Sequence, residues 1–135
     1  MKRISNKERV DSLISQFWKE GYLTISRKHG SFLPSPDPVG NYEIEALGRY
    51  KKNYVIGITL SEEDLVNPQV SNKIKYLSSR NTIFPQKNVK LFIAIPSKLL
   101  TRAHNIISQL PPENRNCIKL IPYFSPSRQN TDQSP

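Results

Sequence analysis

A single cysteine, Cys117, excludes an internal disulfide and any cysteine-based zinc site. Beside Ile118 it reads as a small core residue. A Cys–His nucleophile would need His29 or His104 from far away in sequence, and nothing local activates the thiol. Histidine is equally sparse. His29 sits in a polar loop and His104 in a helical segment, with no H-x-x-x-H spacing around either. The chain also lacks a run of about 18 apolar residues and a basic helix with a broad bare hydrophobic face, so no membrane partner is expected. Met1-Lys2-Arg3 is followed by Ser5, Asn6, Lys7, Glu8 and Arg9, not by an apolar stretch, so no signal peptide is read and a cytoplasmic location is expected.

Acidic residues are outnumbered as well, eleven Asp and Glu against twenty Lys and Arg, for a formal net charge of +9. Arg128 and Asp132 cancel in the last eleven residues, so the excess belongs to the part expected to fold, and a basic folded domain implies an anionic partner. Six of the eleven acids (Asp37, Glu43, Glu45, Glu62, Glu63 and Asp64) nevertheless fall within one neighbourhood. Glu43 and Glu45 lie two apart, so on a strand they share one face while Ile44 and Ala46 share the other. Two readings stand side by side: the solvated face of a half-buried strand, or a divalent-metal site facing a phosphate backbone, since carboxylate oxygens hold Mg²⁺.

The hydrophobic content, 36%, and the length of 135 residues suit one compact domain. Val10, Leu13, Ile14, Phe17 and Trp18 recur at helical spacing after Ser5, with Glu8 completing a capping box and Gly21 ending the helix. Strands are expected at about Tyr22–Ile25, Tyr42–Tyr50 and Tyr54–Leu60, the last two around a basic turn. Pro68 opens a helix to about Ser79. Val89–Ile95 reads as a strand covered on both faces, Ser97–Leu110 as a helix stopped by Pro111-Pro112, and Ile118–Phe124 as a last strand. The order αβββαβαβ predicts a single α/β domain over residues 1–124, with a mixed sheet flanked by helices, and a disordered polar tail over 125–135.

That order, together with EIEALGRY placed before a hairpin, resembles the restriction-endonuclease-like, or PD-(D/E)xK, nuclease superfamily over roughly residues 5–124. The resemblance puts Glu45 at the family's acidic position on the second strand and makes Glu8 or Asp11 the supporting acid of the first helix. It implies a Mg²⁺-dependent phosphodiesterase in which Glu45 and a neighbouring acid hold the metal that activates water. The third strand departs from the pattern. Where the family carries an acid, one residue and a lysine, NYVIGITLS offers Ile58 and Leu60 in one register and Thr59 and Ser61 in the other. A hydroxyl such as Thr59 ligates Mg²⁺ only weakly. Either the site has moved, with Glu62, Glu63 or Asp64 and Lys73 reaching in beside Glu43 and Glu45, or the chemistry has been lost.

A binding surface is expected in both cases. Arg27 and Lys28 open the long loop, Arg49, Lys51 and Lys52 mark the hairpin turn, and Tyr22, Phe32, Tyr50 and Tyr54 lie close by in sequence. Cations interleaved with aromatics suit phosphates and exposed bases. The expected partner is nucleic acid, DNA before RNA, met as a homodimer or within a larger nucleic-acid complex. A non-enzymatic protein-interaction or regulatory α/β domain is the alternative.

Overall fold

The computed structural model describes residues 5–79 and 88–123, with the side chain of Asn88 excepted. Phe124 and the expected tail lie outside the described residues. Helix α1 (Asn6–Lys19) begins in a reciprocal capping box: the Glu8 N–H donates to Ser5 Oγ, and the Ser5 N–H donates to the Glu8 carboxylate. Strands β1 (Leu23–Arg27), β2 (Ala46–Tyr50) and β3 (Asn53–Thr59) follow. Helices α2 (Glu62–Val66) and α3 (Val70–Leu77) lead to β4 (Asn88–Pro96). A 3₁₀ turn (Ser97–Leu99), α4 (Leu100–Ile107), α5 (Pro112–Arg115) and β5 (Ile118–Tyr123) complete the order. The five strands lie side by side in chain order, antiparallel from β1 to β3 and parallel from β3 to β5. The molecule is therefore α/β with a mixed sheet.

Alternation along the strands makes two cores. On one face Ala46, Val55, Phe92, Ala94, Ile121 and Tyr123 meet Leu13 and Phe17 of α1. On the other, Ile56, Ile58, Leu91, Ile93 and Ile95 meet Ile74 and Leu77 of α3 and Ala103 and Ile107 of α4. β4 serves both cores, which is why it reads as an unbroken apolar run. The helix α1 lies close on the sheet because Gly48 leaves room: a Cβ there would come within 2.9 Å of the Phe17 ring.

Several expectations need correction. Trp18 does not join the α1 core; its side chain is 75% exposed, one helical step of about 100° beyond the buried Phe17. Among the described residues two helices stand between β3 and β4, because Asn67 precedes Pro68 and is held extended (φ −75°, ψ 124°), breaking the helical path. Pro112 starts α5 at its first turn as well as ending the segment before it. Cys117 is half-buried, not a core residue, with its thiol donating to the Glu113 carbonyl at 3.3 Å. Pro122 is tolerated in β5 because that strand is an edge of the sheet.

The β2–β3 connection is two residues, Lys51-Lys52, between the paired Tyr50 and Asn53, and Lys51 adopts a left-handed φ of 56°. Such a conformation costs an L-residue about 1–2 kcal/mol, against about 0.5–1 kcal/mol of extra chain entropy for glycine. Lys51→Gly should therefore stabilise the domain by roughly 0.5–1 kcal/mol in urea unfolding. Equal or lower stability would show that the Lys51 side chain stabilises the turn by more than its backbone strain.

Candidate functional site at the strand ends and the hairpin

The acidic neighbourhood is shaped by the loop that precedes β2. Val39 and Tyr42 pair as an isolated bridge, Tyr42 stacks against Tyr76 of α3 at 5.3 Å, and Gly40 turns with φ 62° where a Cβ would overlap the Tyr76 hydroxyl. This anchoring pulls Ile44 into the core beneath α3 and α4, while Ala46 packs under α1. The strand begins only at Ala46. The simple alternation expected for Glu43 to Ala46 therefore fails, because tertiary contacts of Tyr42 and Ile44 override the two-residue period before the ladder starts.

Glu45 is stitched into the end of the sheet. Its N–H donates to the Gly57 carbonyl, its own carbonyl accepts from the Lys28 N–H, and its Oε1 accepts from the Thr59 N–H, each at 2.9 Å. The carboxylate thus continues the β2–β3 ladder where the backbone no longer does. Its other oxygen faces Lys28 Nζ at 3.9 Å, and the same ammonium sits 2.6 Å from Glu43 Oε1. Lys28 stands between the two carboxylates where the sequence reading placed a divalent cation. Burial pushes the Glu45 carboxyl above its ordinary range. The Thr59 N–H, Lys73 and Lys28 pull it down without offsetting that burial, and Asp64 adds to the rise. The Lys28 ammonium holds the exposed Glu43 low.

Four other candidate acids are engaged elsewhere, whereas Glu63 is exposed in the first turn of α2. Glu8 caps α1. Asp11 lies 2.7 Å from Arg27 Nη2 and 3.2 Å from Lys7 Nζ. Asp64 Oδ2 accepts from the Ser61 N–H at 2.8 Å and from its hydroxyl at 3.1 Å, capping α2, and the exposed Glu62 has Lys98 Nζ at 3.9 Å. Among the described residues no three His, Cys, Asp or Glu side chains gather as a metal site. Ile58 of β3 and Leu60 just after it are buried in the α3–α4 core, so neither position offers a ligand or a cation.

The sign of the Glu45 shift sets a pH dependence. A carboxyl whose folded pKa is raised binds its proton more tightly in the folded state, so its contribution to stability falls as pH rises through the raised value. Glu45→Gln removes that loss and retains an amide oxygen for the Thr59 N–H. The variant should melt higher than wild type at pH 7, and the gap should close by about pH 3, below the ordinary carboxyl value, where the acid is protonated in both states. A variant less stable at pH 7 would show that the Lys28 contact outweighs burial.

The expected basic surface divides in two. Arg27 pairs with Ala46, whereas the hairpin begins at Arg49, which pairs with Leu23. Arg27 and Lys28 therefore lie at one end of the sheet and Arg49, Lys51 and Lys52 at the other, about 15 Å apart at the ordinary rise of a strand. The first pair is engaged by Asp11, Glu43 and Glu45. The hairpin cations form a different arrangement. Arg49 Nε–H donates to the Lys51 carbonyl at 2.9 Å and its guanidinium lies 5.6 Å from the Tyr54 ring, while Lys51 Nζ lies 5.3 Å from the Tyr50 ring. Lys52 is exposed. The bridging role of Lys28 was missed by sequence reasoning, because Lys28 and Glu43 stand fifteen positions apart with a long loop between them. Among the described residues no helix is long and apolar enough to cross a membrane. The chain matches no family model, no curated protein and no solved structure.

Proposed function

We propose that this chain is a nucleic-acid-binding domain of restriction-endonuclease-like architecture in which metal-dependent cleavage has been lost. The observation that carries the reading is the commitment of the Glu45 carboxylate, one oxygen to the Thr59 N–H and the other toward Lys28. A hard divalent cation needs several oxygen ligands, and here it would have to displace an ammonium already placed between Glu43 and Glu45. The antiparallel hairpin followed by parallel strands with helical crossovers supports the architectural side of the reading. The charge of +9 and the cation–aromatic pairs of the hairpin support the nucleic-acid side.

The test pairs binding with cleavage. Labelled single- and double-stranded DNA should be retained at low salt, and supercoiled plasmid incubated with Mg²⁺ or Mn²⁺ should stay intact with wild type and with Glu45→Gln alike. Plasmid nicking that disappears in Glu45→Gln would make the protein an active nuclease. Absence of binding to either DNA form at low salt would favour the regulatory alternative.

A further inference from the structure

The end of the sheet that carries the hairpin gathers cations from elements distant in sequence. Lys90 is paired across the sheet with Val55, which pairs with Gly48, and all three face α1 because Phe92, two residues beyond Lys90, packs in the α1 core. Lys119 pairs with Phe92 on the same face. Both lysines are exposed, and both hold the Glu20 carboxyl at the end of α1 below its ordinary range despite its partial burial, with Lys119 Nζ at 2.6 Å. Tyr50 lies two residues beyond Gly48 on this face, and about half of it is exposed. Phe17 packs against Gly48, and Trp18, the next residue of the helix that covers this face, has 75% of its surface in water. An indole this open on a basic face is unexplained by packing, since large aromatics are normally well covered.

We infer that this face binds single-stranded nucleic acid, with phosphates neutralised by Lys51, Lys52 and Lys90 and bases stacked on Trp18 and Tyr50. The inference rests on the nucleic-acid reading above and narrows it. A duplex presents base edges, which an exposed ring cannot stack upon, whereas an unpaired strand presents base faces, and stacking on aromatics beside a cationic track is how such strands are held. Neither Trp18 nor Lys90 is used by the fold's cores, so both remain available to a ligand.

Trp18 is the only tryptophan, so its fluorescence reports directly on the face. Titration with an oligo-dT of about 20 nucleotides should quench that fluorescence, and a duplex of the same length should bind more weakly and leave it unchanged. Measured by anisotropy of a labelled strand, Trp18→Ala should weaken oligo-dT binding by about tenfold, the loss of one stacked base, without changing duplex affinity. Lys90→Glu should weaken binding of the single strand and flatten its dependence on salt. Oligo-dT binding with unaltered fluorescence and full affinity in Trp18→Ala, or duplex bound as tightly as the single strand, would overturn the inference while leaving nucleic-acid binding in place. Failure of both forms to bind would overturn both.

Discussion

Phe17→Ala should lower the free energy of unfolding by about 3–5 kcal/mol, the usual consequence of removing a fully buried aromatic ring. The Phe17 ring is inaccessible, packs edge-on to Phe92 at 5.7 Å and to Tyr22 at 6.3 Å, and rests on Gly48, so its removal leaves a hole bounded by two rings and the sheet. Backbone strands and a helix surround that hole, which limits how far it can collapse. The neighbouring Trp18→Ala should change stability by less than about 0.5 kcal/mol, as expected of an exposed position. On the opposite face, Ile93→Ala should cost about 2–5 kcal/mol, because β4 is central and Ile93 is fully buried in the α3–α4 core. Urea unfolding of the three variants checks the two-core architecture. If Phe17→Ala unfolded no more easily than Trp18→Ala, the docking of α1 on Gly48 would be wrong.

Affinity for DNA should fall steeply as salt rises, and replacing Lys51 and Lys52 together with Ala should flatten the logarithmic slope by about one to two units. Each neutralised phosphate releases a condensed counterion, so the slope counts contacts, whereas a merely weakened fold would lower affinity at every salt concentration alike. Lys51 and Lys52 project from a two-residue turn at the extremity of the sheet, clear of either core. The companion variant Arg27→Ala should leave the slope unchanged, since that side chain is only 14% exposed and pairs with Asp11. Identical slopes for wild type and the double variant would remove the hairpin from the interface. A flattened slope in Arg27→Ala would instead return the interface to the opposite end of the sheet.

Much of the architecture could be read from local pattern. The capping box at Ser5 and Glu8, the doubly covered strand from Val89 to Ile95 and the basic turn at Lys51-Lys52 follow from side-chain chemistry and period, and each stands in the structure. The α/β class and the mixed sheet follow because short antiparallel and long helical connections leave few other arrangements. Periodicity was less informative at element ends. Trp18 continued the apolar spacing of α1, yet no partner covers the place to which it points. The chain from Tyr42 to Glu45 showed strand alternation, yet Tyr76 and the α3–α4 core took Tyr42 and Ile44 before pairing with β3 began.

By itself the sequence determined the charge of the chain, its lack of an internal disulfide, most of the content of its cores and the presence of carboxylates before the hairpin, since composition and period carry these directly. Only the tertiary structure decided what those carboxylates face. Lys28 reaches Glu43 and Glu45 because β1 pairs antiparallel with β2, which returns the end of one strand to the beginning of the next across a long loop. The same pairing separates Arg27 from Arg49 although both border the loop–hairpin region in sequence, and the parallel registers of β4 and β5 bring Lys90 and Lys119 beside the end of α1. Such contacts depend on strand order and register, which are set by the packing of whole faces and leave no local mark on the residues they bring together.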